Sequence, residues 1–323
     1  TFNVAPRTKA LSQNQTDFDH NNVFVSYAYY LGHGKTWAAN NSEAQMYIDG
    51  STISYNGNLW KNETTSYYWP KDGGSLTFFA YSYNKKDMTV GDNSGFACVW
   101  AVGEDGQYQG GINGHFDVAT NKNVDFLVAD IAADKTENKN SYAHTGVPTL
   151  FRHKLSMVNV AANLAEDYAN KKFILNSVKF TNLCHYATYS QIPEKMIPGG
   201  NMFLSDQVYA ENVGFEVKSG GLIAVPAEIK KGAGVEDGQY IYIPQEFNDD
   251  SYIVITYTVE TVVGNKVVKE ECTKTVKVKD VFPKWEMGHR YTFNLTFSLN
   301  EIHWDPAVEN WIVDEAGNIT IDR

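Results

Sequence analysis

Tyr291-Thr292-Phe293-Asn294-Leu295-Thr296-Phe297-Ser298-Leu299 carries an apolar side chain at every second position and a small polar one between. Successive side chains of a strand point to opposite faces, so this period of two puts Tyr291, Phe293, Leu295, Phe297 and Leu299 on one side and leaves the other to water. Thr275-Val276-Lys277-Val278-Lys279 alternates apolar with basic and reads the same way. In Ser75-Leu76-Thr77-Phe78-Phe79-Ala80-Tyr81 the residues Leu76, Phe78 and Ala80 share a face, and Tyr252-Ile253-Val254-Ile255-Thr256-Tyr257-Thr258-Val259 reads as a buried strand.

Turn signals separate these runs at short intervals: Asp72-Gly73-Gly74, Glu104-Asp105-Gly106, Gly110-Gly111, Ser219-Gly220-Gly221, Asp237-Gly238 and Gly264-Asn265. Many short strands with tight turns predict an all-β chain built of β-sandwiches. One helix is expected, a ten-residue connector over 163–172 containing Leu164, Ala165, Glu166, Tyr168 and Ala169. The polar stretch 134–148, nearly free of large aliphatics, reads as an exposed linker or lid. A boundary near its end divides the 323 residues into an N-terminal sandwich, 1–147, and a C-terminal one, 148–323, each of ordinary domain size.

Net charge is −11 and 43% of the residues are hydrophobic, a globular composition whose acidic balance opposes any sequence-independent grip on nucleic acid or anionic lipid. The longest apolar stretch, around Phe126 to Ala133, is interrupted by Asp130 and is far shorter than the roughly 20 residues of a membrane-spanning helix. The sequence opens at Thr1 with neither a Met nor a charged-then-apolar leader, so a start downstream of a removed leader, or at an arbitrary cut in a longer chain, is expected.

Catalytic or metal-binding constellations are weak. Cys98, Cys184 and Cys272 show no C-x-x-C spacing and read as three buried thiols, with Cys184 and Cys272 the pair to test for a bridge. Gly91-Asp92-Asn93-Ser94-Gly95 superficially matches a nucleophile turn but reads as a hairpin loop. His115-Phe116-Asp117 sets imidazole and carboxylate on one strand face, a spacing that could hold a metal or orient a base, and a surface His–Asp pair is the plainer reading. Adjacent carboxylates at Asp249-Asp250 and Glu270-Glu271 point to opposite faces of a strand and cannot act as an acid–base couple. No enzyme, cofactor or metal is expected. The tryptophans, Trp37, Trp60, Trp69, Trp100, Trp285, Trp304 and Trp311, fit either a core or a sugar-stacking platform.

Tyr67-Tyr68-Trp69-Pro70 followed by Leu76-Thr77-Phe78-Phe79-Ala80-Tyr81-Ser82 resembles the fimbrillin (Mfa-like) family of Bacteroidetes surface pilins. In the same order, Leu150-Phe151-Arg152-His153-Lys154-Leu155-Ser156 is similar to the stretch that opens the family's second domain. Ile243-Pro244-Gln245 is similar to its proline–glutamine turn, and Trp285-Glu286-Met287-Gly288-His289-Arg290-Tyr291 to its tryptophan–glycine–tyrosine lead-in to a strand. The likeness runs from about Val23 to Trp311.

The resemblance implies two transthyretin-like Greek-key β-sandwich domains in tandem and an exported lipoprotein precursor at the outer membrane and cell surface, although the family's leader and its cysteine do not occur in this stretch. It implies partnership with other pilin subunits and a host glycan or protein receptor, with no nucleic acid. By the family's scheme, proteolysis after an arginine removes a first strand, and a C-terminal segment of another subunit fills the groove. Arg7 matches the processing position, Phe2 and Val4 the removable strand, and Ile319 and Ile321 the donor. A plain surface arginine and an ordinary final strand or tail are the alternatives, and a monomeric surface glycan-binding sandwich is the alternative function.

Overall fold

The computed structural model describes residues 17–86, 96–102, 108–118, 124–137, 146–199, 213–216, 226–232, 235–299 and 302–310. Its main strands are β1 (Phe24–Leu31), β2 (Gln45–Tyr55), β3 (Ser75–Ser82), β4 (Ala97–Val102), β5 (Tyr108–Asp117), β6 (Leu127–Ala129), β7 (Ser156–Leu164), β8 (Lys171–Leu183), β9 (Tyr186–Ile192), β10 (Glu194–Pro198), β11 (Val235–Tyr242), β12 (Tyr252–Val263), β13 (Lys266–Lys277) and β14 (His289–Phe297). Among the described residues the helices are two single turns, Trp37–Asn40 and Val278–Val281, and a 3-10 turn, Asn41–Glu43. The all-β expectation therefore holds.

A first sheet runs Trp60–Lys61, β2, β1, β3, β6, Phe151–His153, and a second runs β10, β9, β5, β4. Between them lie Val25, Tyr27, Tyr29, Phe79, Tyr81, Phe96, Ile112, Phe116, Phe126 and Tyr189, all buried. The outer face of the first sheet is buried too, by Trp60 and by half-buried Tyr67 and Trp69 from the segment after β2. Hence every residue of β3 is buried: Leu76, Phe78 and Ala80 face outward beneath this cover, while Phe79 and Tyr81 face the inner core.

A third sheet runs β11, β7, β14, Ile302–Trp304, with β7 and β14 parallel. It packs on a fourth, Val213–Glu216, β8, β12, β13. Val158, Val160, Phe173, Phe180, Ile253, Ile255, Trp285, Phe293 and Phe297 fill the space between. β14 alternates as expected, but it stops at Phe297, and Leu299 lies outside it, 49% exposed. In β12 only Ile253, Ile255 and Thr258 are buried, because one face of the sheet meets solvent, so it is not the fully buried strand expected.

The expected helix over 163–172 does not form. Leu164 closes β7 as the last of the core-facing series Val158, Val160, Ala162, Leu164. Ala165 N–H then donates to Phe297 O, which extends the ladder beside β14, and β8 begins at Lys171. Register against a buried face outweighs the modest helix propensity of these residues.

Two expected turns also lie inside strands. Gly110-Gly111 belongs to β5, where Gly111 (φ +72°) sits at a register shift opposite β9, and Asp237-Gly238 lies at a similar shift in β11. By contrast Gly264 (φ +60°) forms the two-residue turn joining β12 to β13, the position such turns reserve for glycine.

The stretch read as a linker is anchored at both ends. Ala132–Lys135 pairs with β3, Asp134 accepts the Trp37 N–H at 2.7 Å, and Val147 is buried against the outer core. Beyond the expected boundary at 147, the hairpin β9–β10 pairs with β5 in the second sheet, and Leu155, Ile241 and Ile243 enter the first sandwich's core.

Candidate functional site

Phe2, Val4, Arg7, Ile319 and Ile321 lie outside the described residues, as do the 91–95 loop and Trp311. His115 and Asp117 fall on β5, but the partner of Asp117 is His185, whose Nδ1 lies 2.8 Å from its Oδ1, while the His115 ring packs beside Tyr186. The pairing expected along one strand is instead made between β5 and the link just before β9. Among the described residues no group of three or more His, Cys, Asp or Glu is arranged to hold a metal.

All three cysteines are free thiols. Burial pushes the Cys98 and Cys184 thiols up, and Cys184 donates to Tyr186 O at 3.0 Å. Cys272 is only half-buried, a departure from the expectation of three buried thiols, because β13 is an outer strand. Trp37, Trp60 and Trp285 are core residues.

The stretches 150–156, 243–245 and 285–291, far apart in sequence, converge where the two sandwiches meet. Gly288 N–H donates to Leu155 O at 2.9 Å and Ser156 Oγ to Glu286 O at 2.8 Å, while Glu286 N–H donates to Tyr291 Oη at 2.8 Å. Gly288 holds φ +75°, which lets the chain turn against residue 153 before β14 begins. Buried Gln245 satisfies both backbone groups of Cys184: its Oε1 accepts the Cys184 N–H at 2.8 Å and its Nε2 donates to Cys184 O and Ile243 O at 3.0 Å. A side-chain amide here replaces the strand partner that Pro244 interrupts.

Next to this joint, three consecutive basic residues each meet an acid. Arg152 makes a two-pronged pair with Asp130 at 2.7 and 2.8 Å, His153 Nδ1 lies 2.6 Å from Asp125 Oδ2, and buried Lys154 pairs with Glu194. Tyr189 Oη also donates to Glu194, at 3.0 Å. Asp130 holds the Arg152 guanidinium more firmly charged than usual, and burial followed by the Glu194 charge pushes the Tyr189 phenol up. His153 and Asp125 border a cavity of about 330 Å³ with Tyr83, Lys85, Met157 and Ile241.

Gln191 ties the two layers of the first sandwich, accepting Ile112 N–H at 2.9 Å and donating to Ala129 O at 3.0 Å. None of these groups combines a nucleophile with a base and an orienting partner. What they do is tie segments distant in sequence to one another.

An aromatic patch lies elsewhere, on the outer side of the first sandwich. Tyr68 is 73% exposed, Tyr47 donates its hydroxyl to Tyr68 O at 2.6 Å, and the Tyr30 ring lies 6.5 Å from that of Tyr47. Exposed rings that are held in place offer a flat apolar surface with polar tips.

A family model described as fimbrillin-like matches residues 8–311. The chain belongs to the fimbrillin-like family. The fold of this fimbrillin-like chain is similar to that of a fimbrial protein from Bacteroides vulgatus ATCC 8482, at 18% identity over 89% of this chain and 92% of that one, with a TM-score of 0.66. A fimbrial assembly protein from Parabacteroides distasonis ATCC 8503 aligns over 98% of this chain and 96% of its own at 10% identity, with a TM-score of 0.35. No curated protein matches the fimbrillin-like chain. Among its described residues no helix is long and apolar enough to cross a membrane.

The roles of Gln245, Gln191 and Glu194 were not legible in the sequence of this fimbrillin-like chain. Their partners lie tens of residues away, and the one local signal was the Ile243-Pro244-Gln245 motif.

Proposed function

We propose that this chain is a structural or adhesive subunit of a cell-surface pilus, built as two tandem sandwiches, 1–147 and 148–323, with the β9–β10 hairpin serving the first. The observation that carries this reading is the fimbrillin-like match across 8–311, on a fold similar to a fimbrial protein's. The subunit is exported, reaches the outer surface as a lipoprotein precursor, and acts there by packing against other pilin subunits and binding a host receptor rather than by catalysis.

Assembly proceeds by strand exchange. Phe2 and Val4 form a first strand that closes an apolar groove until cleavage after Arg7 removes it. Another subunit's Ile319 and Ile321 then fill the groove, because an incomplete sandwich leaves ladder groups and apolar surface that an extended segment satisfies. Each refilled apolar position contributes on the order of 1.5–3 kcal/mol before ordering costs.

Limited trypsin treatment of the purified chain, with the cut confirmed by mass, tests this. The cleaved chain is expected to form ladders of oligomers on gels and filaments in electron micrographs, and Arg7→Ala to stay monomeric. Ladders formed equally by Arg7→Ala, or none from the cleaved chain, overturn the assignment.

A second reading, a monomeric glycan-binding protein, is favoured by the Tyr30, Tyr47 and Tyr68 patch alone. Glycan binding that is lost in Tyr68→Ala, with no assembly after any cleavage, would select it.

A further inference from the structure

β13 is the outer strand of the fourth sheet among the described residues, paired with β12 without a register break from Val263↔Lys266 to Tyr252↔Lys277. Its residues Lys266 to Glu271 are all exposed, Val267 and Val268 each by 54%. Which of its backbone groups point outward follows from one hydrogen bond. Val262 N–H donates to Asn170 O, away from β13, so Val262↔Val267 is a non-hydrogen-bonded pair of the hairpin. By alternation, Val267, Lys269, Glu271, Thr273, Thr275 and Lys277 turn their N–H and C=O groups out of the sheet, a row that no strand among the described residues pairs with.

We propose that a second copy of this chain occupies this edge, its β13 antiparallel to the first about a twofold axis through Cys272. Two constraints select this arrangement. A twofold axis normal to the sheet carries each side chain to the same face, and residues opposite each other in an antiparallel pair share a face. Even positions must therefore meet even positions.

Overlap and charge then decide among the allowed registers: centred on Val267, Val268, Thr275 or Val276 the two strands share at most about five residues, and among the longer overlaps like charges set opposite each other destabilise a pair and unlike charges stabilise it. Centred on Lys269, Glu270, Glu271 or Lys274, the pairing sets that residue against its own copy. Centred on Thr273, it sets Lys269 against Lys277. Centred on Cys272, it sets Glu270 opposite Lys274 twice and Val268 opposite Val276 twice, with no like charges directly opposite each other.

Edge lysines ordinarily deter such pairing, but in this register each lysine of β13 meets a carboxylate or an uncharged side chain. The outward groups also pair among themselves, Val267 with Lys277, Lys269 with Thr275 and Glu271 with Thr273. Val276 packs against the core between the third and fourth sheets, so the joined sheet keeps both cores on one side. This contact is lateral and independent of strand donation.

The axis residue reports on the register. Non-hydrogen-bonded partners bring their Cα atoms to about 4.5 Å, within the span of a disulfide. The uncut full chain, in which cleavage after Arg7 plays no part, is examined by light scattering across concentrations and by brief treatment with copper–phenanthroline. That oxidant removes one electron and one proton from each of two Cys272 thiols as the S–S bond forms.

A concentration-dependent dimer is expected, cross-linked through Cys272 in the peptide mass map. Cys272→Ser should keep the dimer and lose the link. Lys274→Glu should lower the cross-linked yield about tenfold, and the double exchange Glu270→Lys with Lys274→Glu should restore it. A chain that stays monomeric at its highest attainable concentration, links formed through Cys98 or Cys184, or a double exchange that fails to restore the link overturns the proposal.

Discussion

Gln245 shows how a single side chain holds two distant segments. Its amide answers both backbone groups of Cys184, and Gln245→Ala leaves them buried without partners. The expected loss is about 2–4 kcal/mol, read from denaturant midpoints with an unchanged slope. Lys154 is buried against Glu194, whose carboxylate is about half exposed. Glu194→Gln should cost about 1–3 kcal/mol, less than the ~3–5 kcal/mol of stranding a fully buried charge, because solvent reaches the site.

The tyrosines set an alkaline limit. Burial pushes Tyr257 and Tyr291 up to about 12 from an ordinary 10.0, and pushes Tyr27, Tyr29 and Tyr189 up further. Below pH 10 both folded and unfolded chains keep these protons, so stability is unaffected. Between about 10 and 12 the unfolded chain releases protons that the folded one retains, and stability falls. Phenolate absorbance should therefore rise late and together with loss of near-UV circular dichroism; early, reversible ionisation of these tyrosines in the folded chain would contradict this. Little of it could be read from the sequence, where a tyrosine in an alternating strand shows its face but not whether a second sheet covers it.

At the scale of elements, period two identified the strands wherever one face is wet, as in β14. In β3 it set Leu76, Phe78 and Ala80 on one face, as they are, but it did not show that this face is covered too, by Trp60 of the edge strand and by Tyr67 and Trp69. Helix propensity over 163–172 failed because Leu164 is needed by the core, and the glycine pair 110–111 looked like a turn because bulges and turns want the same backbone freedom. Gly114 belongs to neither class. A Cβ there would lie 2.5 Å from a Phe96 ring carbon and 2.8 Å from its Cα. Gly114→Ala should destabilise by about 1–3 kcal/mol, because Phe96, which leads into β4, must shift, whereas Gly232→Ala, with open space around it, should show only the smaller cost of its positive φ (+69°).

For the whole molecule, the boundary expected from composition and the path of the chain differ. The second sheet takes β9 and β10 from beyond residue 147, and Leu155, Ile241 and Ile243 complete the first core. Fragment 1–147 should therefore stay unfolded on its own and gain dispersed amide signals only when 186–198 is supplied in the same chain. The resemblance that named the family needed no knowledge of this. Its motifs are local, while the contacts that explain them join residues 155, 184, 245 and 288 across the junction.

The central claim, assembly of subunits by strand exchange, is tested most directly by a labelled peptide of residues 311–323 offered to the chain before and after cleavage at Arg7. The peptide is expected to bind the cleaved chain stably and one to one, and to be ignored by the uncut chain. It should also lose its hold when Ile319 and Ile321 are replaced by Asp. Equal binding to cut and uncut chains, or binding that survives both substitutions, would contradict the account.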